Sequence, residues 1–200
     1  KTMNRRGEIY QPFTGRTLAM MFEKSSTRTR VSFEVAMAQF GGHALFLPPR
    51  DTQSGRGEPV ADTARVLSSM VDAIMVRNHS HELLEELAQY SSVPVINGLT
   101  EKFHPCQLLA DMQTILEHKG RLANLNVTWI GDGNNMCHSY INAARLFGFQ
   151  LRIACPQAYL PHPDILAKSA DCAEVTVTPQ QAVEDADVIV TDVWASMGDE

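Results

Sequence analysis

The sequence has no basic block. Its 17 Lys and Arg are outnumbered by 23 Asp and Glu, for a net charge of -6. A nucleic-acid surface needs clustered cations to neutralise phosphates, so no nucleic-acid partner is expected. No apolar run approaches the roughly 20 residues that span a bilayer, so no membrane partner is expected. The opening residues, Lys1-Thr2-Met3-Asn4-Arg5-Arg6-Gly7, lack the apolar core of a secretory leader. The four cysteines, at 106, 137, 155 and 172, form no CxxC pair and share no metal-ligand spacing with histidine. They read as free thiols of a reducing compartment, which points to a cytoplasmic location and no metal. Internal repeats and low-complexity tracts are also missing.

What is present is an ordinary globular balance, 44% hydrophobic and 20% charged, in a length that suits one large or two small domains. Strand-like runs at 17–22, 43–47, 73–77, 93–97, 126–131, 150–154, 173–177 and 187–191 alternate with helical patterns near 27–41, 59–71, 81–90, 105–119, 136–147, 163–170 and 179–185. Such alternation predicts an α/β protein with two doubly wound parallel-sheet domains. A helix ending in His118-Lys119, with Gly120 at its C-cap, marks a seam. The predicted domains are therefore 1–120 and 121–200. Both ends read as cut, and the second domain is expected to be incomplete at its C-terminus, since the chain stops in a loop after a strand.

The densest chemistry is Ser25-Ser26-Thr27-Arg28-Thr29-Arg30, placed where the apolar run Thr17–Phe22 hands over to a helix carrying Phe33, Met37 and Phe40. The first N–H groups of a helix have no internal partner and carry positive potential. Hydroxyls and guanidinium groups added there make an anion cradle, with Arg28 or Arg30 able to fork onto phosphate or carboxylate oxygens. A plain N-cap needs one hydroxyl, and this turn offers four. Arg77 ends a strand, at the edge where open parallel sheets bind ligands. His104-Pro105-Cys106-Gln107 opens a helix, with Pro105 suited to its first turn, and presents an imidazole and an amide fit to grip a carbonyl group. Cys106 has no base indicated beside it and reads as a packed thiol. Gly131-Asp132-Gly133-Asn134-Asn135-Met136 approaches a dinucleotide fingerprint but lacks its third glycine. The Asn pair offers amides suited to a carboxylate or zwitterion, and Asp192 is a candidate partner for an ammonium group.

These motifs, in this order, resemble the aspartate/ornithine carbamoyltransferase family, in its ornithine branch. The Ser26–Arg30 turn looks like the family's carbamoyl-phosphate signature, and His104-Pro105-Cys106-Gln107 with Leu109-Ala110-Asp111 looks like its second. The turn at 132–135 and Asp192 with Ser196-Met197-Gly198 look like its ornithine-side elements. The resemblance implies transfer of the carbamoyl group of carbamoyl phosphate to the δ-amine of L-ornithine, giving citrulline and phosphate for arginine biosynthesis. It implies no cofactor, no metal and no covalent intermediate. Arg28 and His104 would be catalytic. Ser26, Thr27, Arg28, Thr29, Gln53, Arg77, His104 and Gln107 would hold carbamoyl phosphate. Asn135, Asp192, Ser196 and Met197 would hold ornithine. A homotrimer, or a multiple of trimers, is implied, with Gln53 reaching a neighbouring subunit. A carbamoyltransferase for putrescine, N-acetylornithine or aspartate, a nicotinamide-binding domain, and a non-catalytic carbamoyl-phosphate-binding fragment stand as alternatives.

Overall fold

The computed structural model describes residues 6–23, 25–48, 57–176 and 178–193. They form two compact units, Lys1–Thr100 and Glu101–Glu200, each built on a four-stranded parallel sheet.

In the first unit β1 (Thr17–Phe22), α1 (Thr27–Gln39), β2 (His43–Leu47), α2 (Val60–Ser68), β3 (Ala73–Arg77), α3 (His81–Tyr90) and β4 (Val95–Leu99) alternate along the chain. The sheet order is β2-β1-β3-β4. β1 is apolar on both faces, as a strand covered on both sides must be. Leu18, Met20 and Phe22 pack with Met75 on one side, where Phe33 and Met37 of α1 join them. Ala19 and Met21 face the other side, with Ile74, Val76, Ala64 of α2, and Leu84 and Leu87 of α3. Strand order reverses between β1 and β3, which opens a crevice at their carboxyl ends.

The second unit runs α4 (Pro105–Lys119), β5 (Asn126–Ile130), α5 (Asn135–Phe147), β6 (Gln150–Ala154), a 3-10 turn (Gln157–Tyr159), α6 (Pro163–Ala167), β7 (Ala173–Val175), α7 (Pro179–Ala182) and β8 (Val188–Thr191). Its sheet order is β7-β6-β5-β8, with the reversal between β5 and β8. Trp129, Tyr140, Ile141, Phe149 and Ile153 fill its core.

By compactness the units divide after Thr100. Leu108, Met112 and Ile115 of α4 belong to the core of the second sheet. One sequence expectation shifts. The strand read at 93–97 lies at Val95–Leu99, because pairing with β3 takes in Asn97, despite its low strand propensity, and continues to Leu99. That pairing is irregular. Val76 faces Asn97 and Arg77 faces Leu99, so Gly98 is an extra residue that shifts the register beside Arg77. A Cβ on Gly98 would meet the Met75 sulfur at 2.5 Å and the Val76 carbonyl oxygen at 3.1 Å, which is why glycine stands there.

Candidate functional site

The crevice between β1 and β3 gathers the hydroxyl-rich turn and Arg77. Ser26 caps α1, accepting from the Thr29 backbone N–H at 3.4 Å. Its hydroxyl donates to Thr29 Oγ1 at 3.0 Å, and Arg77 Nη1 donates to the same oxygen at 3.1 Å. Both acceptor sites of the Thr29 hydroxyl are thus used, which leaves its proton for something else. No acidic residue lies in the first turn of α1, so the helix dipole there is uncompensated.

Arg77 is 6% exposed and its Nε has no hydrogen-bond partner among the described residues. Burial, and then the positive charge of Arg28, push its guanidinium below the usual arginine range. Among the described residues no carboxylate pairs with Arg77 or Arg28. Two cations converging without an acid among the described residues, around a hydroxyl with a spare proton, are chemically suited to a multiply charged anion. Arg30 does not contribute. Its Nε is 2.8 Å from Glu34 Oε1, and its guanidinium lies 3.9 Å above the Phe46 ring. Thr27 and Arg28 are exposed at the helix start, where their N–H groups precede the first intrahelical bond.

In the second unit His104 is the N-cap residue of α4, followed by Pro105. Its backbone N–H donates to Ser139 Oγ at 2.8 Å, and Ser139 Oγ donates to the Asn135 carbonyl at 2.6 Å. One hydroxyl of α5 therefore ties His104 to the residue that opens α5. Gln107 Nε2 donates to Asp111 Oδ1 at 2.9 Å. Burial pushes the Cys106 thiol up, which keeps it protonated, as befits a packed thiol.

At the crevice between β5 and β8 Asn134 caps α5, its Oδ1 accepting from the N–H groups of Met136 and Cys137 at 2.9 and 3.2 Å. Its Nδ2 donates to Asp192 Oδ2 at 3.1 Å. Asp192 is thereby set just past the end of β8. A Cβ on Gly133 would collide with the backbone of Tyr159, Leu160 and Pro161, so the crossing of that segment over the turn demands glycine. The same segment is held by His138. That ring accepts at Nε2 from the His162 N–H, 2.9 Å away, so its Nδ1 carries the proton donated to the Lys102 carbonyl at 3.0 Å.

Of the residues singled out from sequence, Ser26, Arg28, Thr29 and Arg77 come together, and Asp192 meets the turn that carries Asn135. Gln53, Ser196 and Met197 lie outside the described residues. Sequence reading missed the separate jobs of Asn134, Ser139 and Tyr140. Capping preference marks Asn134. Nothing local marks the other two, whose partners are 35 and 29 positions away.

Residues 1–117 match the family profile of the aspartate/ornithine carbamoyltransferase carbamoyl-P binding domain, and residues 123–200 match its Asp/Orn binding domain. An ornithine carbamoyltransferase of Psychrobacter sp. (strain PRwf-1) is 61% identical over 200 residues, which is 100% of this chain and 65% of that protein. One from Hydrogenovibrio crunogenus is 60% identical, over 100% of this chain and 66% of its own length. The solved ornithine carbamoyltransferase of Pyrococcus furiosus superposes with a TM-score of 0.92 at 50% identity, covering 100% of this chain and 66% of that one. The present chain thus spans about two thirds of the length of the relatives it matches.

Proposed function

The chain belongs to the aspartate/ornithine carbamoyltransferase family, and from that premise we infer that the full-length protein carbamoylates L-ornithine from carbamoyl phosphate, yielding L-citrulline and phosphate. The observation that carries this reading is the buried Arg77, bonded to Thr29, charged against Arg28 and lacking a carboxylate partner among the described residues. A phosphate supplies the missing charge.

In this reading Ser26, Thr27, Thr29, Arg28 and Arg77 hold the phosphate. Arg28, Thr29, His104 and Gln107 surround the carbamoyl group. The neutral δ-amine attacks the carbamoyl carbon, and negative charge grows on the carbonyl oxygen. Preorganised donors from Arg28, Thr29 and His104 stabilise that charge. The arginines then neutralise the departing phosphate. Fixing both substrates in line removes much of the entropic barrier. Asn135 and Asp192 hold ornithine, with Asp192 on its ammonium group. Gln53, Ser196 and Met197 keep the roles that the sequence resemblance assigns them. That these relatives are ornithine carbamoyltransferases supports ornithine over putrescine, N-acetylornithine or aspartate. The sequence resemblance supports a homotrimer, or a multiple of trimers, serving arginine biosynthesis, and the free thiols support a cytoplasmic location.

The test is a citrulline assay of the full-length protein with ornithine and carbamoyl phosphate. The Arg28→Ala variant is expected to fold and to lose turnover, and near-normal citrulline formation by it would overturn the phosphate-clamp role. The attacking amine must be neutral, so the rate is expected to climb into mildly alkaline pH. A rate flat from neutral to alkaline pH would count against that step.

A further inference from the structure

The exposed Gln107 side chain is tied by its amide nitrogen to Asp111 at 2.9 Å. Gln107 and Asp111 lie one turn apart on α4, and a Gln–Asp pair at that spacing is ordinary. What sets this one apart is the other carboxylate oxygen. Asp111 Oδ2 accepts from the Tyr140 hydroxyl of α5 at 3.1 Å. Tyr140 is 1% exposed, and its ring centroid lies 5.7 Å from that of Trp129, so the hydroxyl sits on a fixed arm. Burial first, and then the Asp111 charge, push that hydroxyl well above the ordinary tyrosine range, which keeps it a donor. An ionised carboxylate only accepts. Both bonds therefore run toward Asp111, one from the phenol and one from the amide.

The direction of the second bond fixes the amide. Turning it over would set Oε1 against a carboxylate oxygen, acceptor against acceptor. Gln107 Oε1 accepts no hydrogen bond from the described residues. The outward end of the side chain is therefore an acceptor, and it suits a ligand group that brings an N–H.

We propose that Asp111 and Tyr140 are positioning residues that lock the Gln107 amide with Oε1 outward, so that the site selects a carbonyl flanked by –NH2 and rejects its methyl isostere. This rests on the reading above that Gln107 faces the carbamoyl group. A site built to bond an N–H discriminates strongly against an analogue lacking it, because the acceptor is left unpaired.

The experiment compares two isosteric inhibitors of the full-length protein, phosphonoacetamide and its methyl ketone counterpart, 2-oxopropylphosphonate. Each competes against carbamoyl phosphate, and the readout is the ratio of the two inhibition constants. The unaltered protein is expected to favour the amide by about tenfold or more. Tyr140→Phe should cut that preference by about threefold to tenfold. Asp111→Asn should cut it further, because the new amide presents donors and lets Gln107 invert. A purely structural role would lower the thermal midpoint, or weaken both inhibitors equally, with the ratio unchanged in both variants, and that result overturns the proposal. Should the unaltered protein bind neither inhibitor and form no citrulline, the functional reading falls and takes this one with it. An amide preference that survives intact in both variants removes the positioning role alone.

Discussion

Among the described residues the turn after β1 leads into an exposed helix with a long cap bond, whereas the turn after β5 leads into a buried helix whose cap is bonded twice. No residue of α1 is fully buried, while eight residues of α5 are. Ser26 meets one backbone donor at 3.4 Å, and Asn134 meets two, at 2.9 and 3.2 Å. Both turns occupy the carboxyl end of the strand beside which their sheet reverses order. The same topological position is thus used in opposite ways. At the first turn, among the described residues, Arg28 and the Arg77 Nε are left without an acceptor, an arrangement suited to a multiply charged anion. The second satisfies its own donors and presents a carboxylate already held in place, which suits a smaller cationic group.

The comparison breaks most visibly at Arg77. Arg77→Ala should lower kcat/KM by about 10²–10³-fold or more, as expected when a charge-stabilising donor is removed. Steady-state kinetics would show the loss in carbamoyl phosphate usage rather than in ornithine KM. Next in size is Gly133→Ala. It puts a methyl group into the backbone of residues 159–161 and should destabilise the second unit by about 1–3 kcal/mol, read as a denaturation midpoint. No alanine in the first turn should have that effect, because α1 is so little buried. Asn134→Ala follows. It removes the cap and the bond to Asp192, with a stability loss of about 1 kcal/mol. The KM for ornithine should rise while that for carbamoyl phosphate stays put. Equal changes in both would show that the two turns do not divide the substrates.

The smallest effect concerns acid. His138 is buried as a neutral ring, and burial, outweighing its bond to the Lys102 carbonyl, pushes it below the usual imidazole range. Below the unfolded imidazole pKa of about 6.5 the unfolded chain takes up a proton that the folded ring does not. Stability from this group is therefore present above that pH and is lost as pH falls toward the lowered folded value. Urea melts at pH 7.5 and pH 5 should show a steeper decline for the unaltered protein than for His138→Gln. Parallel declines would remove His138 from the acid response.

The fold was largely legible because strands such as 17–22, 43–47 and 73–77 are short apolar runs bounded by turn residues, and they sit where the runs predict. The hydroxyl-rich turn after β1 was legible for a related reason, since its hydroxyls and arginines are contiguous in sequence. Which arginine stays available was not. Arg28 and Arg30 read alike along the chain, and only the approach of Glu34 and Phe46 separates them. The sheet on which α4 packs was not legible either. The Lys119-Gly120 stop is a true helix end, but a helix end does not say which sheet the helix packs on. Ser139 and Tyr140 were invisible because their meaning lies in partners about thirty residues away.

Gly98 acts as a shim. Side chains along a strand alternate sides, so one surplus residue swaps the sides of everything after it. Deleting it would turn Leu99 and Thr100 over, and Thr100, wholly buried, is where His81 Nδ1 meets a hydroxyl at 3.0 Å. A single spacer without a side chain therefore sets the heading on which the polypeptide leaves its first sheet, and a designer wishing to re-aim that exit would start there rather than at any charged group.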